Sequence, residues 1–298
     1  MSAVAHLAPA REGAPAWMAP ALMLLPALLI VFGVVLVPLV MTALLSFHSF
    51  SSSTGISPGL SLENWAEIAA DPYYGEMFLR TFRIAGVVTL ACCLIGAPEA
   101  YVIHRMKAPW KGIFLVVTLG PLLISVVART LGWALLFGGR NGVVNKALMD
   151  LGVLSQPIPF MFTEGGVMVA LTHVMVPFMV LSVWAVLQRL DPRTENAAAS
   201  LGASQFTILT RIVLPQVLPG ILSGAIIVFA LSASSFATPA IIGGRRLKVA
   251  ATLAYDEFLN TLNWPLGAAV AVLLLAAIAA IVIGCNTLVE RRYARMTQ

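Results

Sequence analysis

Charge is scarce in this chain. Charged side chains make up 10% of it and hydrophobic ones 59%, with a mean hydropathy of +0.93. A soluble domain of 298 residues needs far more polar surface than that, so a water-soluble enzyme or binding module is excluded. Cysteine is almost missing: Cys92, Cys93 and Cys285 all fall within apolar runs. Adjacent Cys92 and Cys93 would project on different sides of a helix, making neither a metal pair nor a disulfide, and read as small packing residues. The four histidines are scattered, whereas a membrane enzyme would need them clustered with Asp, Glu or Cys. No phosphate-cradling P-loop is present, which excludes ATP hydrolysis by that route. The chain is expected to hold no cofactor of its own.

What it has instead is long apolar runs. Crossing a hydrocarbon core takes roughly 20 mostly apolar residues. Residues 17–47, 165–188, 212–244 and 258–289 are free of Asp, Glu, Lys and Arg. Residues 84–103 are interrupted only by Glu99, and 112–139 only by Arg129, with Gly120-Pro121 marking a kink. These predict an all-α membrane protein of six transmembrane helices, near 17–46, 80–103, 112–137, 166–188, 216–239 and 265–289. The first run is too long for the roughly 7–15-residue core of a secretion signal and reads as an uncleaved anchor. With a cytoplasmic N-terminus, the inner segments would carry ten basic residues, among them Arg105, Lys107, Lys111, Arg189 and Arg211, against four acidic ones. That bias predicts both termini cytoplasmic. It accounts for the net charge of +5 without invoking nucleic acid. The organisation expected is a tail over 1–16, one membrane domain over 17–290 and a tail over 291–298.

Three outer segments follow from this. Residues 48–79 carry turn signals between Ser51 and Gly59, an amphipathic stretch around 62–70, and acids (Glu63, Glu67, Asp71, Glu76) that read as a solvated face. Residues 140–164 read as loop with one helical turn. Those after Pro239 hold Gly243-Gly244, the basic Arg245, Arg246 and Lys248, and a short amphipathic piece.

The most informative stretch, 191–219, separates two of the spans. Asp191 is suited to cap a helix and Pro192 to its first position. Gly202 suits the helix end and Ser204 the start of the next, while Pro215 marks re-entry into a span. Small side chains at 197–199 would let such a helix nest closely in a groove of something outside the bilayer.

In this stretch Ala197-Ala198, three residues, Gly202, nine residues, then Ile212, Leu214 and Pro215 fit a known pattern. It resembles the loop of inner-membrane permease subunits of binding-protein-dependent (type I) ABC importers. The family's leading Glu is replaced by Asn196, with Glu195 one residue earlier. Further passages resemble the spermidine/putrescine-type branch: Arg129-Thr130-x-x-Trp133, Asn141-Gly142-x-x-Asn145, Pro177-Phe178-Met179-Val180-Leu181, Thr238-Pro239-Ala240 and Trp264-Pro265-Leu266-Gly267. The resemblance spans about 20–290. It implies a permease fold in a bacterial inner membrane, a second permease forming a heterodimer, two ATPase subunits that bind ATP and magnesium, and an extracytoplasmic binding protein. It also implies ATPase-coupling roles for Glu195, Asn196, Ala197, Ala198, Gly202, Ala203, Ile212, Leu214 and Pro215. The cargo expected is a polyamine, with an opine, phosphonate or amino-acid-like solute as the alternative. A stand-alone secondary transporter is the reading from another class, and it would favour ionisable relays or broken helices at the midplane.

Polar groups within spans are costly and mark candidate pathway residues. Arg129 reads as bordering the outer mouth or as a helix-end ion pair, and Trp133 lies one turn on. His173, four residues before Pro177, reads as structural or as pathway. Ser232, Ser234, Ser235, Phe236 and Thr238 form a polar stripe at the end of the fifth span, serving the pathway or helix packing. Polyamine-importing relatives tend to have an acid where Ser235 stands. Glu99 is expected to snorkel to the cytoplasmic edge.

Overall fold

A computed structural model describes residues 18–294. The tail expected over 1–16, Trp17 and the last four residues lie outside the described residues. The chain starts with α1 (Met18–Val31), a π-helical turn (Phe32–Leu36) and α2 (Val37–Leu45). A β-hairpin, β1 (His48–Ser51) and β2 (Gly55–Leu60), precedes α3 (Glu63–Ala70) and α4 (Pro72–Arg105). Next come α5 (Trp110–Leu123), α6 (Val126–Phe137), α7 (Val143–Asp150) and α8 (Glu164–Leu187). Then follow α9 (Pro192–Ser200), α10 (Gln205–Ile208), a π-helical turn (Leu209–Val213), α11 (Leu214–Ala233), α12 (Ala250–Leu259) and α13 (Trp264–Ala294).

Among the described residues five helices are long and apolar enough to cross a membrane, and a sixth crossing comes from α5 and α6 taken as one broken span. The third expected span, 112–137, is therefore no single helix. Its two halves meet at 100°. Pro121 removes a donor and weakens the last turn of α5, and the extended backbone of Ile124 ends it three residues later. The fifth span also differs from the expected 216–239. It begins at Gln205 and ends at Ala233, running through Pro215 without a break. The π-helical turn just before Pro215 relaxes the hydrogen-bond ladder where the proline lacks its donor. The second helix starts at Pro72 rather than 80, because the Asp71 carboxylate accepts from the Tyr73 amide at 2.9 Å and caps it. The turn signals over 51–59 prove to be the loop and second strand of the hairpin, with Phe50 opposite Ile56.

The core lies where α4, α8 and α11 meet. Met179 is fully buried there. A β-carbon at Gly96 would stand 3.0 Å from Met179 Cβ, and one at Gly224 would stand 2.8 Å from its Sδ. Small residues let the backbones approach this closely, which supplies packing where lipid offers no hydrophobic drive. By contrast, no described side chain of the first span, Met23–Leu45, is buried in its apolar window.

At one end of the bundle, Asn145 is fully buried and pins the loop around α7. Its amide donates to the carbonyls of Gly139 (2.8 Å) and Ile158 (3.1 Å), and its oxygen accepts from the Ile158 amide (3.0 Å). Asn145→Leu leaves these backbone groups unpaired, at about 1–3 kcal/mol each. Thermal melting of the purified protein should fall by several degrees, and an unchanged melting point would contradict this role.

Candidate functional site

Two places in the fold gather the residues singled out above: the α9 loop at one end, and a cavity between α4, α5, α6 and α8.

The loop is built by capping. Asp191 accepts from the Arg193 amide at 2.9 Å to start α9. At its other end the Ala203 amide donates to the Ala198 carbonyl (3.1 Å) and the Gly202 amide to that of Ala199 (3.0 Å). This paired closure needs a left-handed residue, and Gly202 supplies it at φ +81°. Ser204 then caps the next helix through the Thr207 amide at 3.1 Å. Ala198 and Ala203 rest partly buried against the core, while Asn196 and Ala197 face outward. Ile212 lies in the π-helical turn, and Leu214 and Pro215 open α11.

Glu195, shifted by one residue from the family pattern, turns inward. Its carboxylate takes a 2.5 Å ion pair from Arg105 at the end of α4, and that guanidinium also donates to Tyr101 Oη. Two neighbours that sequence reasoning passed over are Leu201, 89% exposed, and Phe206, 75% exposed. Large apolar side chains left uncovered at the α9 end of the bundle are the signal that points to them.

The cavity has a volume of about 730 Å³, within the usual range of ligand sites. Trp133 and His173 both line it. Trp133 Nε1 donates to His173 Nδ1 at 3.3 Å, which leaves the imidazole proton on Nε2. The two rings meet edge to face at 5.5 Å, and Trp133 belongs to a cluster with Phe137 and Phe160, its centroid 5.6 Å from each and theirs 4.7 Å apart. Arg129 sits at the broken span and donates to the Pro121 carbonyl, and among the described residues it forms no helix-end ion pair.

Glu99 does not run to the end of α4 as expected. It lines the cavity and accepts from Thr118 Oγ1 at 2.5 Å, because α5 brings that hydroxyl to its face.

The serine stripe does not join the cavity. Ser232 is buried and its Oγ has no hydrogen-bond partner among the described residues, and Ser234 returns its hydroxyl to the Ala230 carbonyl. Ser235 is half-buried beyond the end of α11, Phe236 packs on Tyr255 with ring centroids 4.4 Å apart, and buried Thr238 lies 3.4 Å from Thr130 Oγ1.

At the end of the bundle away from α9, Glu164 pairs with Arg80 (3.2 Å) and Arg83 (2.5 Å), and Lys248 with Asp256 (2.8 Å). Burial works against the Lys248 charge, but the Asp256 carboxylate outweighs it and holds the ammonium above the ordinary lysine range.

Comparison with known proteins puts these features in a family. Residues 109–295 match the family described as the binding-protein-dependent transport system inner membrane component. The spermidine/putrescine transport system permease protein PotB of Haemophilus influenzae is 29% identical over 87% of this chain and 91% of its own length. PotB of Escherichia coli is 30% identical over 84% and 89%. A chain of a bacterial ABC transporter that imports the acidic polysaccharide alginate superposes with a TM-score of 0.76 over 92% of this chain and 96% of its own, at 18% identity, a likeness of fold. The chain therefore belongs to the binding-protein-dependent transport system inner membrane components, the multi-pass permease subunits of ABC importers.

Proposed function

We propose that this chain is one of two different permease subunits in an importer of polyamines such as spermidine and putrescine. Its partners are a second permease, two ATPase subunits that bind ATP and magnesium, and an extracytoplasmic binding protein that delivers the solute. Residues 17–290 form the permease domain, with α9 and both termini on the cytoplasmic side, as the basic inner loops favour. The permease makes no covalent change. It couples ATPase closure to alternation between inward-open and outward-open states.

The observation that carries this reading is how α9 is attached. One end is pinned to α4 by the Arg105–Glu195 pair, and the other leads through Gly202 into the unbroken 29-residue helix Gln205–Ala233. A push on α9 is thereby delivered to α4, which lines the cavity, and to α11, which crosses the bundle core. Outward-facing Asn196, Ala197, Leu201 and Phe206 form the surface offered to the ATPase.

The polyamine assignment is tested on the binding protein that feeds this permease. Calorimetric titration with spermidine and putrescine should give saturable binding, and the assembled importer should take up what binds. A binding protein that ignores both amines but binds an opine or phosphonate would contradict the assignment.

A further inference from the structure

We infer that the cavity between α4, α5, α6 and α8 is a cation subsite in which Glu99 admits an ammonium group of the solute. The inference rests on the importer reading above and adds to it a residue that fixes which charge can pass.

The argument starts from α4. Val87, Ala91, Ile95 and Glu99 all line the cavity at a spacing of four residues, so they form one face of the helix. That face is an apolar wall about 18 Å long that ends in a carboxylate. The carboxylate has one hydrogen bond, from Thr118 at 2.5 Å, and among the described residues no cation pairs with it. It stands six residues before Arg105, whose charge is committed to Glu195. A carboxylate held inside a span without a counter-charge is costly, and a cationic solute removes that cost.

The opposite wall suits the same visitor. The Cys92 thiol lies 3.7 Å from the Thr172 carbonyl, which sets His173 and its partner Trp133 nearly two turns of α4 from Glu99, about 10 Å along the axis. The Trp133 ring can meet a second ammonium or a methylene chain by cation–π or apolar contact. The chemistry recognised is an aliphatic chain bearing ammonium groups.

Glu99→Gln isolates the charge. The amide keeps the shape, and its oxygen still accepts from Thr118, so a purely structural role survives the change. The experiment uses the full importer in vesicles with its binding protein, ATP inside and radiolabelled spermidine outside. Wild type should import spermidine, Glu99→Gln should lower the rate roughly tenfold or more at an unchanged melting temperature, and Glu99→Asp should recover part of it. Import by Glu99→Gln at the wild-type rate would overturn the subsite while leaving the importer reading intact. Equal loss in Glu99→Gln and Glu99→Asp would also overturn it, because charge would then not be what matters. A wild-type importer idle with spermidine would sink the polyamine reading, and the subsite with it.

Discussion

Gly202→Trp is expected to cut solute uptake roughly tenfold, a coupling loss of about 1.4 kcal/mol, while the assembled importer continues to hydrolyse ATP. Among the described residues nothing lies within 4 Å of where a β-carbon would sit at Gly202, so added bulk starts out into open space on the side offered for docking. A second effect is backbone strain, since a residue other than glycine at φ +81° costs about 1–2 kcal/mol. Gly202→Asn separates the two, because asparagine tolerates this conformation and adds less volume. Its loss should be intermediate, and membrane yield should match wild type in both variants. Parallel assays of uptake and phosphate release read the uncoupling. Full uptake with Trp at this position would remove α9 from the drive.

The second large effect belongs to the Arg105–Glu195 pair. Arg105→Glu sets two carboxylates against each other where α9 meets α4 and should lower uptake roughly tenfold. Its effect on folding should be small, because the Arg105 side chain is 45% exposed and such pairs contribute about 0–1 kcal/mol. Combining Arg105→Glu with Glu195→Arg restores an attractive pair and should return most of the rate. The measurement is a double-mutant cycle on initial uptake. Additive losses, with no recovery in the swapped protein, would show that the pair does not hold α9 in register.

The α9 loop was legible in the sequence because its determinants are local. Asp191, Gly202 and Ser204 each act within three or four residues of where they stand, and each does what its residue type favours. The broken third span was half legible. Pro121 marks a weak point, but the 100° turn depends on what α6 meets, namely Phe160 against Trp133 and Thr238 near Thr130. Those contacts join residues far apart in the chain, so periodicity cannot reveal them. The place of Glu99 is hidden in the sequence for the same reason. An acid close to a helix end ordinarily reaches for water, and only the approach of Thr118 on α5 turns it into the cavity. The serine stripe makes one surface only on a helix that runs to 239. With the helix ending at Ala233, its five members part into buried, capped and exposed positions.

Vesicles holding the permease pair, loaded with ATP and magnesium and supplied with solute-loaded binding protein, test the central claim most directly when compared with and without the two ATPase subunits. The account predicts accumulation of spermidine above the outside concentration only when the ATPases are present. Accumulation by the permease pair alone would contradict it.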